Sequence, residues 1–370
     1  MATANNITPY LATHPGEIIK DELDANSITQ ADFSKLSGIK RSQLNEIIKG
    51  KRNINAELAI LLEKILGVDA EYWMEAQKNY ELDLARIKAK ESKRLEAIEK
   101  FNFIKDKIAY KFLKKEKVIS GDPIEDIEKI QNIYEIEHFE ELATLGVQPA
   151  YTRFRKSPKL KIDPINIIGW TKLVQYQASK IHVGEFNYEK SDDLIRHLRL
   201  IINENNNTLE KVQNCLKEFG IKLIYQPKGE KTPVDGVSFW SEGNPAIGMS
   251  LRHKRIDNFA FTLFHELGHV FKHLLNNNEA QFIDLDPKQE SKEYKNSIEE
   301  KEANKFAEEN LITQKEWEQY LELYESNPFL DENIISFAEK INIHPYILRG
   351  RICHKLESYK HKTSISKKIN

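Results

Sequence analysis

Cysteine, glycine and proline are all scarce in this 370-residue chain: 2, 15 and 12 residues. Cys215 and Cys353 lie far apart with no CxxC spacing, which excludes a disulfide framework and a zinc ribbon and fits a reducing cytosol. So little Gly and Pro excludes a collagen-like or low-complexity chain. No run of 18 apolar residues occurs, so no transmembrane helix is expected and the membrane is not among the expected partners. The opening MATANNITPY has neither a basic region nor an apolar core of the secretory kind, so a cytoplasmic protein is expected. Charge of one sign is missing too, with 55 Lys+Arg against 57 Asp+Glu. That balance excludes a polybasic coat for nucleic acid and confines any DNA contact to a local patch.

What is present divides the chain. Residues 14–80 read as short amphipathic helices, with Thr29 as a cap, Gly38 and Gly50 as stops, and an apolar, central fourth helix AELAILLEKILG. From 81 to 145 the chain turns to Lys, Glu and Ile, which predicts long helix broken at SGDP (120–123). Residues 86–117 hold 12 Lys+Arg against 5 Asp+Glu, and RFRKSPKLK (153–161) is basic again. After residue 208 three short β-rich runs, GIKLIYQ, DGVSFWS and PAIGMSL, predict a small antiparallel sheet, with helices resuming from Asn258 to the end. The expected class is mainly α with a C-terminal α+β part. The division expected is 1–84 for a bundle of short helices, 85–149 for a helical linker and 150–370 for the α+β part.

The most informative residues are His265-Glu266-Leu267-Gly268-His269, inside an apolar helix capped by Asp257 or Asn258. Histidines four apart share a helix face and can reach one Zn²⁺, while Glu266, about 100° away, can act as general base on a metal-activated water. His273 continues the series, but three histidines along a straight helix cannot converge on one ion, so it is read as a packing or hydrogen-bonding neighbour. The spacing HExxHxxGxxH is absent, because Lys272 and Leu275 stand where Gly and His would be needed. A third ligand is therefore expected from the helix SIEEKEANKFAEENLI (297–312). Its apolar stripe discards Glu302 but leaves Glu299 and Glu300 open, and Ser297-x-x-Glu300 also fits a capping box.

Together with GVSFW, PAIGMSL and FAEKINIHPYILRGRI, these elements make residues 150–355 resemble the ImmA/IrrE family of zinc metallo-endopeptidases. The resemblance implies a small zincin domain acting on repressor-type regulatory proteins. Within it, the Glu of Glu-x-x-Ala-Asn, here Glu300, is the third zinc ligand after His265 and His269. The chain departs from the family at Ile312-Thr313, where an apolar residue followed by Pro is usual.

QADFSKLSGIKRSQLNEIIKGKR (30–52) has helix-turn-helix form, with the small Ser34 at the helix crossing and Gly38 at the turn. Lys40, Arg41, Ser42, Gln43 and Asn45 then begin the recognition helix, and Lys49, Lys51 and Arg52 are placed to meet phosphates. Five basic residues and one acid in 40–52 supply the local patch. Residues 14–82 resemble the HigA-type antitoxins of the Xre-like repressors, through HPGEIIKDEL, IIKGKRNI and LGVDAEYWMEAQKNYEL. Ser34 and Ile60 depart from the usual Ala and Arg. That resemblance implies a homodimer on double-stranded operator DNA. Ala338, Asn342-Ile343 and Leu348 repeat the spacing faintly, and are read as packing on the peptidase part.

The sequence thus points to a DNA-binding regulator with a zinc-dependent endopeptidase that cleaves a regulatory protein, with GVSFW or PAIGMSL as an exposed edge for substrate. The rival is a non-catalytic antitoxin that represses its operon and binds a toxin, its zinc domain structural or sensory.

Overall fold

A computed structural model describes residues 9–146, 163–286 and 292–370, and the chain forms two units, Met1–Lys100 and Phe101–Asn370. The basic stretch at 153–161 and the expected domain start at 150 lie outside the described residues. No helix among the described residues is long and apolar enough to cross a membrane.

The first unit begins with α1 (Pro15–Ala25), α2 (Gln30–Ser37), α3 (Arg41–Ile48) and α4 (Ala56–Leu66). Thr29 caps α2 and Gly38 ends it in the left-handed region, as its residue type predicts. Ile19, Phe33, Leu44, Leu62 and Trp73 close the core. α4 is less central than its apolar sequence suggested: Leu58, Ala59 and Leu62 are buried, but Ile60 on the other face is 53% exposed. Helix α5 (Ala70–Ile104) starts within this unit, where Gln77 Oε1 accepts the Ile54 amide at 3.0 Å.

The expected linker is helical, but it is not one element. α5 runs unbroken through residue 84 and stops at Ile104; α6 (Tyr110–Lys115), α7 (Pro123–Tyr134) and the short α8 (Leu142–Leu145) follow. Asp122 caps α7 at the predicted SGDP break. Ile104, Phe112, Ile130, Ile133 and Tyr134 are buried in one cluster with Trp170 and the sheet residues Ile224 and Val237. Much of the segment set apart as linker is therefore core of the second unit.

That unit continues with α9 (Pro164–Ser179), α10 (Ser191–Glu204) and α11 (Thr208–Glu218), then β1 (Lys222–Tyr225), β2 (Val234–Ser241) and β3 (Asn244–Met249). Next come α12 (Ile256–His269), β4 (Phe282–Leu285), the short α13 (Lys292–Lys295), α14 (Ile298–Leu311), α15 (Gln314–Tyr324), α16 (Asp331–Lys340) and α17 (Pro345–Lys355). The sheet is mixed, in the order β1-β3-β2-β4, with β1 parallel to β3 and the other pairs antiparallel. Two expectations are corrected here. The sheet is not wholly antiparallel, because α11 precedes β1 and the chain enters the sheet beside β3 rather than beside its sequence neighbour. β2 and β3 are the central strands, so the exposed edges expected of GVSFW and PAIGMSL belong instead to β1 and β4.

Both sheet faces are covered. Alternate residues go to opposite cores: Leu223 and Ile247 pack with α12, while Ile224 and Ala246 pack with α6, α7 and α9. Ala338, Ile343 and Leu348 are buried in the α12 core, as the reading of the tail predicted. Beyond Lys355 the chain is irregular rather than helical, with Lys368 bridging to Arg255.

Each large side chain contributed by 104–134 is worth about 1.5–3 kcal/mol of burial. Five such residues match the entire net stability of a typical domain, ~5–15 kcal/mol. A fragment of residues 101–370 should therefore unfold cooperatively by circular dichroism, and a fragment of 150–370 should not. Equal cooperative melting of the two would show that 101–149 is dispensable to this core.

Candidate metal centre and nucleic-acid interface

Helix α12 carries the HELGH residues because almost every side of it is buried, from Ile256 and Phe259 to Leu263 and Leu267. Its start departs from expectation: neither Asp257 nor Asn258 caps it. Arg255 precedes the first turn and pairs with Asp257 inside it. Opposite lies α14. A Cβ on Gly268 would stand 2.8 Å from Ala303 Cα, too close for any side chain, so glycine lets the two helices touch. That contact draws the HELGH face onto the Glu-x-x-Ala-Asn face.

His265 Nε2 and His269 Nε2 meet at 3.1 Å. Glu300 is the carboxylate beside them, 3.6 Å from His265 and 3.3 Å from His269, whereas Glu299 is exposed. Ser297 Oγ caps α14 by accepting the Glu300 amide, but the Glu300 side chain turns to the histidines instead of closing a capping box. Glu302 is outside the cluster, as its helical phase predicted, and pairs with His273 at 3.0 Å.

Asp284, which sequence reasoning missed, is the fourth member. Its Oδ2 is 3.0 Å from His265 Nε2 and 3.8 Å from His269 Nε2. It stands on β4, opposite Gly236 of β2, so both face α12 while Ile283 and Leu285 enter the other core. The signal in the sequence was the short alternation in Phe282-Ile283-Asp284-Leu285 after the turn residues Asn276-Asn277-Asn278.

The remaining ring nitrogens fix how the histidines present themselves. Asn304 Oδ1 lies 3.1 Å from His265 Nδ1, and an amide oxygen can only accept, so that nitrogen carries the proton and Nε2 offers a lone pair. His269 Nδ1 meets His273 Nδ1 at 3.1 Å, and His273 Nε2 faces Glu302 Oε2 at 3.0 Å, which orients His269 the same way. His273 is thus the hydrogen-bonding neighbour expected. Phe282 stacks on His269 with ring centres 4.4 Å apart.

Four buried lone-pair donors therefore converge, all within 4.8 Å of one another. Neither oxygen of Asp284 nor Oε1 of Glu300 accepts a well-formed hydrogen bond, and neither carboxylate is paired with a lysine or arginine among the described residues. Such a set is costly unless a cation fills it. Bonds of about 2.1 Å to a tetrahedral ion would space donors about 3.4 Å apart, close to the separations above. The residues fit a metal ion, which His265, His269, Asp284 and Glu300 are placed to hold.

Glu266 is fully buried, with its carboxyl against Ser238 and Gly236 of β2 and close to Asp284. Ser238 Oγ donates to its carboxylate, and a Cβ on Gly236 would fall 1.9 Å from Oε1, so only glycine leaves it room. Burial drives this carboxyl well above the usual range, and the charge of Asp284 adds to the rise. Burial likewise pushes Glu300 up to about 8, again with Asp284 contributing. On His265, burial opposes ionisation, but Asp284 outweighs it and lifts the imidazole to about 9, so a proton and a metal ion compete for the Nε2 lone pair.

In the first unit, Ser34 Oγ donates to the Ile39 carbonyl across the Gly38 turn, which gives the serine a role that alanine would lack. Leu44 and Ile47 anchor α3 inward. Lys40, Arg41, Ser42, Lys49, Lys51 and Arg52 are exposed, and Gln43 and Asn45 are half-buried on the same helix. None of these five cations forms an ion pair among the described residues.

Residues 19–73 match the family model of the helix-turn-helix, and residues 216–327 match that of the IrrE N-terminal-like domain. The chain belongs to the Xre-like helix-turn-helix family and carries an IrrE N-terminal-like domain behind it. It is 40% identical over 70 residues to virulence-associated protein A' of Dichelobacter nodosus, covering 19% of this chain and 61% of that relative. It is 35% identical over 75 residues to virulence-associated protein I of the same organism, covering 20% and 69%. The chain thus spans about three fifths of the length of the first of these relatives. Among solved structures, a HigA-family addiction module antidote protein from Coxiella burnetii is 29% identical, covering 22% of this chain and 90% of its own, with a TM-score of 0.21. The IrrE N-terminal-like match contains the whole sheet and all four clustered residues, and this family suggests a metal at the site.

Glu300→Ala should lower the metal bound per chain, and Glu299→Ala should leave it unchanged, by elemental analysis of purified protein. The reverse pattern would mean that the wrong glutamate has been assigned.

Proposed function

We propose that this chain is a DNA-binding transcriptional regulator with a zinc-dependent endopeptidase centre that cleaves a regulatory protein. The observation carrying the reading is the meeting of the His265 and His269 Nε2 atoms and Glu300, with the buried carboxyl of Glu266 next to them in the chain. A bound zinc ion would supply a Lewis acid that acidifies water and polarises an amide carbonyl. Asn304 and His273 keep the lone pairs of His265 and His269 aimed at the ion. Glu266 takes the proton of the attacking water and gives it to the leaving amine nitrogen, and the burial that raises its pKa makes it a stronger base than an exposed carboxylate. Ser238 donates to one carboxylate oxygen, and Gly236 leaves room for the other.

The first unit reads operator DNA as a homodimer, through Lys40, Arg41, Ser42, Gln43 and Asn45 at the groove and Lys49, Lys51 and Arg52 at phosphates. The exposed, unpaired state of its five cations supports this. Half-sites would then lie about 34 Å apart. The non-catalytic antitoxin reading is favoured by one observation, Asp284 at the corner where a catalytic site keeps an opening.

Two experiments test the proposal. Glu266→Gln should keep its zinc and lose peptide hydrolysis by about 100-fold or more, since it removes the base but no ligand; unchanged cleavage by this variant would end the peptidase reading. In full-length protein, Gln43→Ala should relax base preference, whereas Lys51→Ala should weaken all sequences alike and reduce the salt slope by about 1. Equal losses on specific and random DNA for Gln43→Ala would show that α3 is not the reading helix.

A further inference from the structure

We propose that Asp284 is a fourth protein ligand, so that the resting chain holds its metal in a closed centre with no coordination position left for water. This inference rests on the metal-centre reading above and adds how that centre is controlled.

Asp284 and Glu300 approach the histidines alike, at 3.0 and 3.8 Å against 3.6 and 3.3 Å. A carboxylate that merely supports a ligand imidazole takes its Nδ1 proton. Here both Nδ1 atoms are engaged by Asn304 and His273, and Asp284 faces the Nε2 side, where the ion must sit. Its side chain is 11% exposed and meets no lysine or arginine among the described residues, so no permanent cation of the chain balances its charge.

The fold holds it there. β4 pairs with β2 through Val234–Ser238, and its Phe282 lies flat on His269. Beyond the strand, Arg252 reaches both Asp235, at 2.6 Å, and Asp286, clamping the end of β4 to β2. The Glu266 carboxyl lies beside Asp284, so the base faces a carboxylate where it would need a water. Hydrolysis in such a centre would require Asp284 to withdraw from the ion, against the strand pairing and the Arg252 clamp that hold it. Four protein ligands are the mark of a structural zinc site and three of a catalytic one. Asp284 would decide which of the two this chain contains.

The test uses full-length protein, stripped of metal and reloaded with one equivalent of Co²⁺, as wild type, Asp284→Ala and Asp284→Asn. Visible absorption is recorded with and without acetohydroxamate, a small ligand that needs an open position, and zinc affinity is measured by chelator competition. The wild-type spectrum should be four-coordinate and unmoved by acetohydroxamate. Both variants should respond to it and bind zinc about tenfold or more weakly; the isosteric Asn variant guards against a folding defect. A wild-type spectrum that shifts as the variants do, or variant affinities within about twofold of wild type, would overturn the role of Asp284 alone. If wild type takes up neither cobalt nor zinc, the metal-centre reading falls and this inference with it.

Discussion

The close crossing of α12 and α14 is the constraint on which the second unit depends. Gly268 and Ala303 bring two backbones into contact, and every later feature of the centre follows from that distance. Asn304, one residue past Ala303, meets His265; Glu300, one turn before it, meets both imidazoles. A side chain larger than hydrogen at 268 would force the helices apart, and overpacking of this kind costs about 1–3 kcal/mol. The larger effect would be on geometry, since metal ligands tolerate displacements of only ~0.5 Å.

Around this crossing the molecule places its polar groups with unusual economy of partners. The Nδ1 side of each histidine is satisfied by a neutral acceptor or a histidine relay ending at Glu302, so the Nε2 side is left for a cation. The sheet contributes from the opposite direction. Gly236, Ser238, Phe282 and Asp284 all face α12 because the β2–β4 register aligns them, and the alternate residues, Val237 and Ile283, enter the second core. One short strand thus joins the chemistry on one face to the stability of residues 101–145 on the other.

Local pattern made much of this legible. Histidines four apart, Thr29 and Gly38 at helix ends, and the phase of Glu302 are short-range facts that survive folding. Phase alone left Glu299 and Glu300 open, because both lie near the edge of the apolar stripe; packing against α12 separates them. The parallel β1–β3 pair, the core role of Ile104 to Tyr134 and the position of Asp284 were not legible. Each depends on pairing across tens to over a hundred residues, which carries no local signature. Phe282 to Leu285 is too short a run for periodicity to distinguish from loop. α4 shows the converse error, where an apolar sequence suggested burial all round and Ile60 is exposed.

Two side chains from α12, one from α14 and one from β4 are placed to hold a single metal ion. Native mass spectrometry of the purified full-length chain, before and after chelator treatment, tests it most directly. The untreated protein should carry one zinc per chain, lost on chelation and absent from His265→Ala and His269→Ala. A folded wild-type chain that carries no metal and takes up none when zinc is supplied would contradict it.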